Sequence, residues 1–127
     1  MNTGRVLWSL SFDSAPVRQS KNTQGFYQRD LSYAAQKELQ EAIADYNSAL
    51  QLNPKYVHAY YHRALAYQIL GEHDQAIADY TRALKLEPRL ANAYRHRGQA
   101  YAAKGDQERA KADHDEAVRI DPNLGKK

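Results

Sequence analysis

The sequence predicts an all-α fold of stacked helical repeats, and three observations carry that expectation. Proline occurs at Pro54, Pro88 and Pro122, 34 residues apart each time. Alanine recurs in the same phase at Ala42, Ala76 and Ala110, and again at Ala49, Ala83 and Ala117. Tyrosine holds positions 33, 67 and 101, with an aromatic slot at Phe26, Tyr60 and Tyr94. These markers define blocks 23–56, 57–90 and 91–124, which cover 102 of the 127 residues. A fixed period of a few tens of residues marks a repeat array, in which one unit cannot bury its own apolar face and copies must stack.

Each element of a block has a local cause. In the middle block Tyr60, Ala64 and Tyr67 fall at helical spacing, and Ala76, Tyr80, Ala83 and Leu84 do so again after Gly71. Gly71 and Gly105 suit the left-handed conformation that ends a helix. The acidic residues that follow, Glu72 and Asp74, then Asp106 and Glu108, suit the start of the next helix. Asn53-Pro54, Glu87-Pro88 and Asp121-Pro122 stop the second helix of each block. The recurring alanines let helix backbones approach, and tyrosines fill the space beside them. Arg29, Arg63 and Arg97 repeat in phase, as do Asp45, Asp79 and Asp113. What recurs in every block serves the block, so an Arg–Asp pair between first and second helices is expected.

Read together, Tyr60, Ala64, Tyr67, Gly71, Ala76, Tyr80, Ala83 and Pro88 resemble the tetratricopeptide repeat (TPR) in period and order. That resemblance implies two antiparallel helices per block and three stacked pairs in a right-handed superhelix, an α-solenoid whose concave face binds peptides.

The outer blocks depart from the pattern. Asp30 stands in the close-approach slot of Ala64 and Gly98, and Lys37 replaces the turn glycine. Residues 26–52 therefore contain neither glycine nor proline. Two arrangements follow: a pair that turns near Gln36–Leu39, which is the expectation, or one long helix that exposes Phe26 and Tyr33 and invites domain swapping. In the last block His114 takes the slot of Tyr46 and Tyr80, amid Lys111, Asp113, Asp115 and Glu116. That polar dressing suits an outer face, with Ala110, Ala117 and Val118 expected to remain partly uncovered. Residues 1–22 form an arm or cap carrying Trp8 and Phe12, and 125–127 a basic tail.

Composition narrows the function. The net charge is +3, but Arg5, Arg18 and Lys21 against Asp13 give the arm +2, Lys126 and Lys127 add +2, and the body 23–124 is −1. A nucleic-acid footprint needs cations clustered on a folded face, so no nucleic-acid partner is expected. No apolar run approaches the ~20 residues needed to span a bilayer, so no membrane is expected either. Without cysteine the chain has neither disulfides nor thiolate metal sites, which fits a reducing compartment, and the cytoplasm is the expectation. There is no phosphate-cradling glycine loop, nucleophile elbow or carboxylate dyad, so no enzymatic activity is expected. His58 and His62 at i,i+4, with His96 one repeat on, invite a metal reading. No carboxylate accompanies them in phase and no HExxH occurs, so they are read as hydrogen-bonding groove residues, with no metal or other cofactor.

The candidate partner face lies opposite Tyr60, Ala64 and Tyr67. It carries His58, Tyr61, His62, Leu65, Gln68 and Ile69 in the second block. The third adds Asn92, Arg95, His96, Gln99 and Ala102, and the first Gln24, Tyr27, Gln28 and Leu31. This row differs from block to block, as a site for one ligand requires, and has no acidic member. It suits an extended peptide that accepts hydrogen bonds from Gln and His, packs on Tyr61 and Leu65 and brings a carboxylate to Arg95. The best-known TPR subgroup holds acidic chaperone tails in a lysine/asparagine/arginine clamp. The corresponding slots here are Tyr27, Leu31, His62, Asn92 and His96, which disfavours that partner. The function expected is a protein–protein interaction module. The alternative is a self-assembling element that forms a homodimer or larger species through its arm and exposed terminal helix.

Overall fold

A computed structural model of the chain describes residues 32–126. Among them are five helices: α1 (Tyr33–Leu52), α2 (Val57–Ile69), α3 (His73–Leu86), α4 (Ala91–Ala103) and α5 (Gln107–Ile120). A 3-10 turn, Pro122–Gly125, follows. The fold is all-α and solenoid-like: α2 packs on α3, α4 on α5, and each pair on its neighbour.

The punctuation behaves as the residues dictate. Gly71 and Gly105 have φ of 84° and 91°. Their turns close with Glu72 N–H donating to Tyr67 C=O at 2.8 Å and Asp106 N–H to Tyr101 C=O at 2.9 Å, which satisfies carbonyls that a helix end leaves open. Asn53, Glu87 and Asp121, each just before a proline, are the C-caps of α1, α3 and α5.

The first block differs from the expectation. No turn interrupts Gln36–Leu39: α1 is one 20-residue helix running through Lys37. With neither a glycine to take positive φ nor a proline, a run of good helix formers continues as helix. Tyr33 is consequently 81% exposed, although Tyr67 and Tyr101 in the same phase are half-buried. Phe26, Arg29, Asp30 and the arm with Trp8 and Phe12 lie outside the described residues.

Among the described residues two apolar clusters stand out in the core, and each crosses a block boundary. Ala42, Tyr46 and Leu50 of α1 enclose Ala59 of α2. Ala64 of α2 with Ala76, Tyr80 and Leu84 of α3 enclose Ala93 of α4. Tyr60 and Tyr67, expected to fill the interior, are half-buried, and the fully buried tyrosine is Tyr80. The Arg–Asp expectation holds in both described pairs. Arg63 grips Asp79 through Nε (2.7 Å) and Nη2 (2.8 Å). Arg97 grips Asp113 in the same fork, at 2.8 Å twice. Each arginine also reaches back one block, Arg63 to Asn47 and Arg97 to Thr81, so the pair ties neighbouring blocks together.

At the far end Ala117 is fully buried, which corrects the expectation that it lies partly uncovered. The 3-10 turn folds back over α5, so close that a Cβ on Gly125 would stand 3.2 Å from Val118 Cγ1.

Gly98 sits at a close approach of α4 to α5. A Cβ there would meet Ala110 C=O at 3.1 Å and Asp113 Cβ at 3.2 Å, the latter anchored by Arg97. Overpacking costs about 1–3 kcal/mol, whereas alanine gains about 1 kcal/mol of helix propensity over glycine. Gly98→Ala is therefore expected to lower the unfolding free energy by about 1 kcal/mol. A urea midpoint equal to or above wild type would show that the helices part without cost.

Candidate functional site

The N-terminal halves of α2 and α4 line an open cavity of ≈ 440 Å³. Helix α2 lines it with Val57, His58, Tyr61 and His62; Glu87 at the end of α3 and Leu90, Asn92 and Ala93 at the start of α4 complete it. The cavity exists because Pro88 and the Glu87 cap end α3 there and send the chain across to α4.

Of the residues the sequence placed on this face, His58, Tyr61, His62 and Asn92 line the cavity. The rest of the described ones sit beside or behind it. Leu65 packs against the α2–α3 core. Gln68 accepts from Tyr80 Oη at 2.6 Å and donates to His96 C=O at 3.3 Å, so it braces the wall. Gln99 Oε1 lies 3.2 Å from His96 Nδ1. Arg95 stands next to Tyr61 and His96. Tyr27, Gln28 and Leu31 lie outside the described residues. The row itself has no acid, but the cavity lining adds one from outside it, Glu87, the cap at the end of α3.

A ladder of rings backs the lining. Tyr46 stacks on His62 with centroids 6.2 Å apart, and one repeat on Tyr80 stacks on His96 at the same distance. Tyr61 bridges them edge-on, 5.2 Å from His62 and 6.1 Å from His96. The sequence carried a signal for this, since both Tyr–His pairs are separated by 16 residues. Tyr61, placed by the sequence on the partner face, also packs against the core and Tyr80.

The electrostatics follow from this burial. Desolvation, then the neighbouring His58, lowers the imidazole pKa of His62. Desolvation and Arg95 lower that of His96 against a weaker opposing hydrogen bond from Gln99. Both rings are therefore neutral near pH 7. His58 is exposed and stacks on His62 at 6.1 Å. Among the described residues no group of three His, Cys, Asp or Glu side chains is placed to hold a metal ion. No described helix is long and apolar enough to cross a membrane.

Profiles described as the tetratricopeptide repeat match residues 57–90 and 91–124, and one described as a TPR repeat matches 31–71. The chain belongs to the tetratricopeptide repeat family. Among solved TPR structures it is similar to the first TPR of Spaghetti (RPAP3) bound to the HSP90 peptide SRMEEVD, at 31% identity and TM-score 0.67 over 72% of each chain. It is also similar to the Arabidopsis OM64 TPR domain, at 29% identity and TM-score 0.67 over 71% of this chain and 74% of that one. The MamA protein shares 35% identity at TM-score 0.64, over 68% of this chain and 47% of MamA. This chain thus spans about half the length of the MamA chains it matches. No curated protein matches it.

Proposed function

We propose that this TPR chain is a protein–protein interaction module that holds an extended peptide of a partner in the groove between α2 and α4. The observation that carries this reading is the ≈ 440 Å³ cavity with its mixed lining of rings, amide and aliphatic groups. Such lining is what a concave binding site uses, apolar walls with a few polar groups that fix orientation. The peptide-bound TPR of Spaghetti supports it by likeness of fold. The test uses a random peptide library followed by fluorescence anisotropy on the selected sequence. His58→Ala and Asn92→Ala, both exposed, are expected to weaken binding by about 1–2 kcal/mol each with an unchanged melting temperature. Selected peptides that bind both variants as tightly as wild type would place the ligand elsewhere.

The two neutral imidazoles make the fold pH-dependent. His62 and His96 bind protons less readily folded than unfolded, so their contribution is full above the ordinary histidine value of 6.5 and is lost as pH falls through and below it. The unfolding free energy is expected to decline between about pH 7 and about pH 5, and to decline less in His62→Gln/His96→Gln. A profile that is the same in the double variant would remove both rings from this role. An acidic peptide is expected to bind more tightly over that range, because His62 and His96 then add charge beside Arg95, with Glu87 opposing.

Self-association is a second reading, favoured by α1. Tyr33 at its start is 81% exposed and Leu52 at its end 88%, two large apolar side chains for a second copy to cover. Sedimentation at two concentrations decides: a mass that rises with concentration and falls to monomer in Tyr33→Ser supports it, and a constant monomer mass rejects it.

A further inference from the structure

Most described arginines have an acidic partner within reach. Arg63 and Arg97 hold Asp79 and Asp113; Arg82, Arg109 and Arg119 pair with Asp79, Asp106 and Glu116. Two do not. Arg89 is exposed in the loop before α4, where water solvates it. Arg95 is the other: it is half-buried on α4 and makes no ion pair among the described residues. Its Nε–H is buried with no acceptor. A cation drawn out of water without a counter-charge is costly, and a carboxylate arriving with a ligand removes that cost through a charge-assisted hydrogen bond. The charge of Arg95 is already felt in the groove wall. Burial raises the pKa of the Tyr61 phenol and Arg95 opposes the rise, while at His96 Arg95 adds to the lowering by burial.

Resting on the groove reading above, we propose that Arg95 is an anion subsite that binds the carboxylate of an internal Asp or Glu side chain of the partner peptide. One observation favours a side chain over the C-terminal carboxylate. Arg95 is half-buried and lies beside the cavity lining of Tyr61, Leu90 and Glu87 rather than in it, so a carboxylate carried on a side chain reaches it while the main chain stays on the lining. The Glu87 carboxylate in that lining favours a neutral or basic continuation. The site differs from a clamp in which several cations surround one terminus: here one guanidinium meets one carboxylate beside neutral rings.

The test is an immobilised array of seven-residue mixtures with the central residue fixed in turn as Glu, Asp, Gln or Asn, all with blocked ends. A parallel set has alanine at the centre and either a free or an amidated C-terminus. Wild type is expected to prefer Glu or Asp over Gln or Asn by about ten-fold, the usual scale of one charge-assisted hydrogen bond. Arg95→Gln should lose that preference while binding Gln-centred mixtures as wild type does, at an unchanged melting temperature. Should Arg95→Gln not fold, Arg95→Lys serves, with part of the preference retained. Acid preference that survives in Arg95→Gln overturns the proposal. So does binding that is sensitive to His58→Ala but indifferent to Glu against Gln, and in that case the groove reading stands. Binding gained only with a free C-terminus overturns the side-chain assignment. No binding above the His58→Ala background overturns the groove reading and the subsite together.

Discussion

Asp79→Ala is expected to destabilise the fold by about 3–5 kcal/mol, the usual cost of removing one partner from a buried ion pair. Asp79 is 1% exposed and receives both arms of the Arg63 fork as well as Arg82 Nη1 at 2.8 Å. Without its carboxylate the Arg63 guanidinium, on a side chain only 17% exposed, keeps its desolvation cost and loses its counter-charge. Arg82 is 53% exposed and returns to water at little cost, so the loss is carried by Arg63. Domains of this size are stable by about 5–15 kcal/mol, so the variant approaches the unfolding threshold. The double variant Arg63→Ala/Asp79→Ala should recover part of the loss, because no unpaired charge remains buried. Equilibrium urea denaturation of the two single variants and the double one gives the coupling directly. A loss below about 1 kcal/mol for Asp79→Ala would mean that water reaches Arg63 and that the pair behaves as a surface one.

This pair is legible in the sequence because it recurs with the period. The same holds for the helix ends: glycine at 71 and 105 and proline at 54, 88 and 122 are chemical stops whose effect depends little on the rest of the chain. The first block shows where such reading weakens. Its period is intact, since Tyr33, Ala42, Ala49 and Pro54 all keep phase, and phase argues for a turn near Gln36–Leu39. The turn, however, needs a residue that tolerates positive φ, and Lys37 does not supply one. Local chemistry outweighed the repeat pattern there, and α1 is continuous.

The site was legible in part, for a related reason. Residues on one helix face share a helical phase, so His58, Tyr61 and His62 could be grouped from spacing alone. Glu87, Leu90 and Ala93 could not. They reach the cavity through the loop between α3 and α4 and through the first turn of α4, and loop geometry has no period to read. Burial was misjudged in the same way. Tyr60 and Tyr80 are both tyrosines at recurrent slots, but only packing between three helices distinguishes the half-buried one from the fully buried one.

Tyr80→Ala is accordingly expected to cost about 3–5 kcal/mol, as large aromatic-to-alanine changes in a core do. Its side chain is completely buried among Ala64, Ala76, Leu84 and Ala93, and the alanines around it cannot collapse far enough to fill the space. Burial, with Tyr61 and Asp79 adding to it, raises the phenol pKa far above its ordinary value, so the hydroxyl stays protonated and donates to Gln68 Oε1 at 2.6 Å. Tyr80→Phe keeps the ring and removes only that donor, for an expected loss of about 1–2 kcal/mol. Tyr60→Ala, at a half-buried site, should fall between the two. The same ring stacks on His96 and meets Tyr61 edge-on at 5.9 Å, so it sets the back wall of the groove. Tyr80→Phe should therefore retain peptide binding within about two-fold, because ring packing rather than the hydroxyl positions Tyr61 and His96. Tyr80→Ala should lose binding together with fold. Thermal unfolding and anisotropy on the three variants check this order. A Tyr80→Phe protein that is as stable as wild type but no longer binds would mean that the Tyr80–Gln68 hydrogen bond, and not the ring ladder, holds the groove in shape.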